Sequence, residues 1–373
     1  FNNDGLADVI YTGAMNLRNS TNLKCTYQSC SDQLIDDANK PQPALYLADA
    51  DGKLHYSPEL LIDNRDNKGM SAGRQLLIAD YNNDKVLDIY IPDHGQTHQN
   101  QGYRDSYYLS QPNGTWLESS NTHLSDNNFR AYTHGGATGD IDNDGDMDVV
   151  LTDWGTFWCL KNDGSGFLTK RRCGGSNAFG LEIADMDNDG DLDAIVGGHE
   201  YGNMFTGIFW NDGQGNFMPY NTTPLKQYKA WGTIAEVSAW DLDNDGDMDI
   251  VYSRAGKGYK NTAIQIIENL GNKKFKDHGI FPLVVPPADF IPTHEGNEWN
   301  DFIEMIKFRD LDKDGDIDLY LSSSMSRKTN GMVLLNQGDF AFELLLPNVT
   351  KKYVTIDYKS PAPVSEEQKA EEQ

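Results

Sequence analysis

Residues 139–151 read GDIDNDGDMDVVL, five aspartates followed at once by strand-forming aliphatics. The pattern returns as ADMDNDGDLDAIV at 184–196, WDLDNDGDMDIVY at 240–252 and RDLDKDGDIDLYL at 309–321. Two worn copies come first, FNNDGLADVIY at 1–11 and ADYNNDKVLDIYI at 79–91. The closing aspartates are Asp8, Asp88, Asp148, Asp193, Asp249 and Asp318, separated by 80, 60, 45, 56 and 69 residues. A constant motif on a variable period describes one structural unit repeated with connections of different length.

Each motif is followed by a short apolar run, a Gly/Asn turn and an aromatic or aliphatic pair. The six are ALYLADADGKLHY, YYLSQPNGTWL, FWCLKNDGSGFL, GIFWNDGQGNF, IQIIENLGNKKF and MVLLNQGDFAF. These are hairpin signals. One unit is therefore strand, acidic loop, strand, long connection, strand, tight turn, strand. No helical periodicity is evident before the C-terminal tail. Repeated four-stranded antiparallel units predict an all-β fold, a β-propeller. The 80-residue step cannot hold two copies of the shortest, 45-residue unit. The count is thus six four-stranded blades, at about 1–61, 71–121, 131–172, 177–219, 230–278 and 300–346.

The first blade begins inside its own acidic loop and lacks a first strand. KKYVTIDY, 351–358, has strand character, and its VTIDY resembles the LIADY ahead of the second loop. It is expected to close the ring from the opposite terminus. Residues 1–358 then form one domain, and 359–373 form a linker or tail leading toward further domains.

The spacing D-x-D-x-D-G-D-x-D resembles the first nine positions of a calcium loop. Alternating carboxylates on a tight turn converge on one point, the sixth-position glycine permits the turn, and the seventh residue offers its carbonyl. The expected ligands are Asp140, Asp142, Asp144, Asp146 and Asp148; Asp185, Asp187, Asp189, Asp191 and Asp193; Asp241, Asp243, Asp245, Asp247 and Asp249; and Asp310, Asp312, Asp314, Asp316 and Asp318. The second copy offers Asp80, Asn82, Asp84, Val86 and Asp88, with Lys85 in place of the glycine. The first offers Asn2, Asp4, Leu6 and Asp8. Four to six Ca2+ ions are expected. The competing reading is a set of solvated Asx turns; four complete copies, each feeding a strand, favour metal. A helix-loop-helix site is disfavoured because a strand follows each loop and no glutamate stands at position twelve. The six motifs hold 25 acidic residues, close to the whole net charge of −26. The acidity is thus local metal chemistry, and it excludes nucleic acid and anionic lipid as partners. No apolar run approaches the length of a membrane span.

These repeats resemble those of the FG-GAP/VCBS superfamily, found in integrin α-subunit propellers and in many secreted proteins. The resemblance covers about residues 1–347. It implies a propeller with its calcium loops on one rim. The best-known members have seven blades, which is the alternative to six. The superfamily spans adhesins, lectins and polysaccharide lyases, so the fold does not fix the function.

In such a blade the acidic loop and the tight turn share one rim, and the longer connections share the other. The length variation falls at 12–43, 62–72, 92–104, 197–206, 220–232, 279–300 and 322–331, all on the second rim. Elaborated loops on a rigid scaffold usually carry binding. Residues just past second strands should converge near the axis, and the candidate ligand set is His94, Trp154, His199, Glu200, Tyr201 and Arg254. Asp93, His98, Asp153, His294, Glu295 and Trp299 stand in the same loops. Four cysteines allow three connectivities, of which Cys25–Cys30 with Cys159–Cys173 is the most local. Two disulfides and calcium fit an extracellular, cell-surface or periplasmic protein. The expectation is a calcium-binding propeller that binds a glycan or an extracellular protein through the loop-rich face, a lectin-like or adhesion module. The alternative is a calcium-dependent polysaccharide lyase or related sugar-modifying enzyme, with these two to be told apart by the depth and chemistry of an axial pocket.

Overall fold

The computed structural model describes residues 1, 4–12, 42–66, 68–70, 73, 75–95, 103–153, 155–175, 178–256, 260–283, 303, 305–322 and 331–346. Cys25, Cys30, Asn2, His98, Trp154, His294, Glu295, Trp299, the expected closing strand 351–358 and the tail lie outside them.

The fold is an all-β propeller of six blades. The first sheet holds β1 (Val9–Tyr11), β2 (Ala44–Ala48) and β3 (Leu54–Tyr56) among the described residues. Four sheets have four strands in simple meander order. These are β9 to β12 (Gly135–Gly139, Asp148–Asp153, Thr156–Lys161, Thr169–Gly174) and β13 to β16 (Gly180–Ala184, Asp193–Gly197, Gly207–Phe209, Thr222–Pro224). They continue with β17 to β20 (Thr233–Trp240, Asp249–Gly256, Lys260–Asn269, Phe275–Pro282) and β21 to β24 (Met305–Arg309, Asp318–Ser322, Met332–Asn336, Phe342–Leu345). The second blade has the same meander, β5 to β8 (Leu77–Ala79, Asp88–Ile91, Ser106–Ser110, Trp116–Glu118), plus a fifth strand. That strand, β4 (Leu61–Ile62), pairs parallel with β8. The sequence reading put residue 61 in the first blade; the chain leaves that sheet after Tyr56 and caps the outer edge of the next. The only α-helical segment among the described residues is the short α1, Ser120–His123.

First strands face one another around the ring: β5 packs on β9, β9 on β13, β13 on β17 and β17 on β21. Close approach there requires small residues. A Cβ on Gly135 would meet the Phe179 carbonyl oxygen at 2.5 Å and the Leu181 nitrogen at 2.8 Å. The hydrophobic core is divided between blades, not gathered at one centre. One cluster joins Val150, Phe157 and Cys159 of the third blade to Leu181, Val196 and Phe209 of the fourth. Equivalent clusters join the first to the second, the second to the third, the fourth to the fifth and the fifth to the sixth. The second to fifth blades are thus covered on both faces, which is why second strands such as β6, β14 and β18 are buried along their whole length.

Candidate metal centres and a belt of aromatic rings

In the second to sixth blades the acidic loop connects the first and second strands. Its ninth-position aspartate opens the second strand and is buried: Asp88, Asp148, Asp193, Asp249 and Asp318. One carboxylate oxygen accepts the backbone N–H of the second loop position, from Tyr81, Ile141, Met186, Leu242 and Leu311. The other accepts the N–H at the end of the third strand, from Ser110, Asn162, Asn211, Asn269 and Asn336. In the first blade Asp8 does the same with the Phe1 and Ala48 nitrogens. This residue ties the loop to its own sheet.

The four asparagines do more. Asn162, Asn211, Asn269 and Asn336 each donate through Nδ2 to two carbonyls. One belongs to the asparagine's own acidic loop. The other is the second-position carbonyl of the preceding blade's loop: Tyr81, Ile141, Met186 and Leu242, at 2.7 to 3.0 Å. Loops also touch directly, because Asn83, Asn143 and Asn188 donate to Asp146, Asp191 and Asp247 of the next loop. The sequence reading did not single out these asparagines, although one stands before the turn in KNDG, WNDG, ENLG and LNQG.

The first, third and ninth positions converge. Asp140, Asp142 and Asp148 bring one oxygen each within 4.8 Å of one another, as do Asp185, Asp187 and Asp193; Asp241, Asp243 and Asp249; and Asp310, Asp312 and Asp318. The fifth-position aspartates stand outside these groups. Asp144, Asp189, Asp245 and Asp314 instead accept the N–H of position seven, closing the turn. The groups fit a cation. Asp142 Oδ1 and Asp187 Oδ1 are buried and accept no hydrogen bond; the lysine on each of these carboxylates sits on Oδ2, so Oδ1 is an acceptor that a cation would satisfy. Burial, augmented by neighbouring loop carboxylates, pushes Asp148 up to about 6 and Asp193 and Asp249 up to about 7. All-carboxylate ligation suits a hard divalent ion.

The loops are not equal. Lys161 Nζ pairs with Asp142 and lies 3.8 Å from Asp144, and Lys273 Nζ pairs with Asp187 at 2.6 Å. No such ion pair reaches the groups of the fifth and sixth blades among the described residues. In the second loop the amide of Asn82 and the hydroxyl of Ser110 both donate to Asp84. That loop satisfies its own carboxylate, and Lys85 holds the glycine position at φ 70°.

At the other ends of these strands lies a belt of rings. His94, past the end of β6, packs on Tyr132 and His134, with centroids 4.1 and 4.5 Å away. His134 packs on Phe179 at 4.0 Å, Phe179 on His199 at 4.3 Å, and His199 stacks on Tyr201 at 5.1 Å. Tyr201 reaches the fifth blade by hydrogen bonding Thr233 at 2.9 Å. Burial lowers His199 to about 4, so it is neutral at physiological pH. His94, His199 and Tyr201 of the expected ligand set are thus brought into one belt. Tyr132, His134 and Phe179 were missed because they precede first strands, whereas the reading looked only past second strands.

Glu200 and Arg254, also expected to touch ligand, are placed otherwise. Both side chains are fully buried and paired at 2.8 Å. Glu200 also accepts from Thr206 and from the Tyr228 N–H, and Arg254 donates to Gln265 and to the Trp231 carbonyl. The pair fastens the 220–232 connection beneath the belt and presents no atom at the surface. Arg65, buried against Asp63 and Glu118, fastens the 62–72 connection in the same way. Cys159 and Cys173 form a disulfide linking β11 to β12.

Six meander sheets arranged as a ring, with carboxylate groups at one set of strand ends, define a β-propeller of repeated acidic loops. The FG-GAP-like repeat matches residues 140–196, 185–252 and 241–321, each match running from one acidic loop into the strand after the next. Residues 140–321 are thus FG-GAP-like repeats, set in a six-bladed propeller. No curated protein sequence matches it. Among solved structures it is similar to a lectin from Agrocybe aegerita that recognises non-reducing terminal N-acetylglucosamine. The TM-score is 0.52 at 16% identity, over 82% of this chain and 74% of that one. A fructofuranosidase from Schwanniomyces occidentalis, complexed with fructosylnystose, gives a TM-score of 0.36 at 12% identity over 72% and 60% of the two chains, too distant to bear on this one.

Proposed function

We propose that this protein is a secreted or cell-surface, calcium-stabilised binding module. Its ligand is a hydroxyl-rich molecule, a glycan, held at the ring-lined end of the propeller. The observation that carries this reading is the belt from His94 to Tyr201. Rings of this kind cover the apolar face of a sugar, and the neutral His199 and the Tyr201 hydroxyl supply polar groups at its edge. Calcium is the ion that the all-oxygen groups suit, and these residues would hold it at positions one, three and nine. Bound there, the ion supplies charge compensation; the aspartates supply geometry. The Cys159–Cys173 disulfide supports an oxidising compartment. No helix among the described residues is long and apolar enough to cross a membrane. The lectin likeness speaks for the scaffold, not for the sugar.

A sugar-modifying enzyme is the weaker reading, because Glu200, the one carboxylate of the candidate set, is buried and engaged by Arg254, the Thr206 hydroxyl and the Tyr228 N–H. A glycan array probed in calcium tests the proposal. His199→Ala and Tyr201→Ala should each abolish binding of any glycan found, while the melting temperature in calcium stays within a few degrees. Binding that survives both substitutions would move the function elsewhere.

A further inference from the structure

Asn162, Asn211, Asn269 and Asn336 occupy matching places in the third to sixth blades. Each gives its N–H to its own ninth-position aspartate and its amide to its own eighth-position carbonyl. The residues just before them therefore match as well, and these are Lys161, Trp210, Glu268 and Leu335. Their charges differ. Lys161 pairs with Asp142, the third position of its loop. Trp210 carries the Lys273 ammonium 3.9 Å from its ring centroid, and that ammonium pairs with the third-position Asp187. Leu335 is buried and uncharged. Glu268 places a carboxylate there. Its side chain is 15% exposed, and its Oε2 accepts from Lys276 Nζ at 2.8 Å and lies 2.7 Å from His278 Nε2. It also acts on the third position of its loop: Asp243 is pushed up by desolvation and then by the Asp245, Asp241 and Glu268 carboxylates.

On the reading that the acidic loops hold calcium, we propose that the residue before this asparagine grades the cation affinity of its blade's loop, and that Glu268 makes the fifth loop the tightest divalent-cation site of the propeller. Ligand charge is a main determinant of affinity in an oxygen-lined calcium loop. A carboxylate facing the third position attracts a divalent ion. An ammonium at the same place repels the ion and occupies an oxygen it would use. Lys276 offsets part of the Glu268 charge. Its side chain is 57% exposed, so water screens that pair, whereas Glu268 is largely buried. Leu335 adds no charge to the sixth loop. The order of filling is thus the fifth loop, then the sixth, then the third and fourth. In this way one repeated backbone answers calcium over a graded range of concentration.

The test is a calorimetric titration of calcium into the full chain after removal of metal with EDTA. The wild type should show one site tighter than the rest, and Asp241→Asn should abolish it, which assigns it to the fifth loop. Glu268→Gln should weaken that site about fivefold and leave the others unchanged. Lys161→Glu should tighten the third loop beyond what Lys161→Met achieves, because it adds a carboxylate as well as removing an ammonium. A gain in affinity cannot come from a damaged fold, so this arm decides even if the Glu268 variant is unstable. No calcium binding by the wild type would overturn the calcium reading and this proposal together. Calcium binding whose tightest site survives Asp241→Asn or is unmoved by Glu268→Gln would overturn this proposal alone. So would equal affinities for Lys161→Glu and Lys161→Met.

Discussion

Asn211 joins three parts of the molecule with one side chain. Its backbone N–H is held by Asp193, and its amide reaches the Leu192 carbonyl of its own loop and the Ile141 carbonyl of the preceding blade. Asn211→Ala leaves both buried carbonyls without that donor. The expected cost is about 1–3 kcal/mol, measured by urea unfolding in calcium; a loss of only a few tenths would show that water replaces the amide. Asp105 offers a test of a different kind. It is buried, accepts from the Tyr90 hydroxyl at 2.6 Å and from the Asp93 N–H at 2.7 Å, and burial raises it to about 7. Its folded value lies above its unfolded value, near 3.8. The native state therefore holds the proton more tightly. The associated stability is full below about pH 4 and is lost as pH rises through about 7. Asp105→Asn should remove that dependence. Relative to the variant, the wild type should lose up to about 1.4 kcal/mol per pH unit across this window. Parallel pH profiles for the two proteins would show that Asp105 stays ionised in the fold.

Among the elements, the acidic loops share a backbone but differ in what faces them. Lys161 and Lys273 bring an ammonium to the third and fourth loops, where a divalent ion would otherwise be the counter-charge. Calcium should therefore fill the fifth and sixth loops first. Lys161→Met should tighten calcium in the third loop roughly fivefold, the equivalent of about 1 kcal/mol, and should lower the melting temperature in EDTA. Calorimetric titration checks the first and a thermal scan the second; unchanged affinity would mean that Lys161 swings clear without cost. Differences of this kind are barely legible in the sequence. The spacing of aspartates and the Gly/Asn turns suffices for blade order and count, because both are local patterns repeated in every unit. The pairing of Glu200 with Arg254, the approach of His94 to His134 and the reach of Lys273 to Asp187 join residues from different blades. No periodicity marks such contacts. For the same reason Glu200 and Arg254 looked like surface chemistry when only their position past a second strand was known. The parallel strand β4 was hidden too, since two residues carry no pattern.

Across the whole molecule, five of the six apolar clusters lie between blades, so the ring is held by five described seams of similar kind. Each seam ends at an acidic loop, and the loops hold most of a net charge of −26. Without metal, like charges repel at the very points where Asn162, Asn211, Asn269 and Asn336 stitch one blade to the next. Metal in the loops should therefore act on the entire ring and not on single turns. The most direct check is thermal unfolding of the full chain in calcium and in EDTA. Each site held at 100 times its Kd adds about 2.7 kcal/mol, so four sites should raise the melting temperature by about 10 °C or more, in proportion to the logarithm of free calcium. Superimposable melting curves in calcium and in EDTA would contradict the account, and would leave the acidic loops as solvated turns.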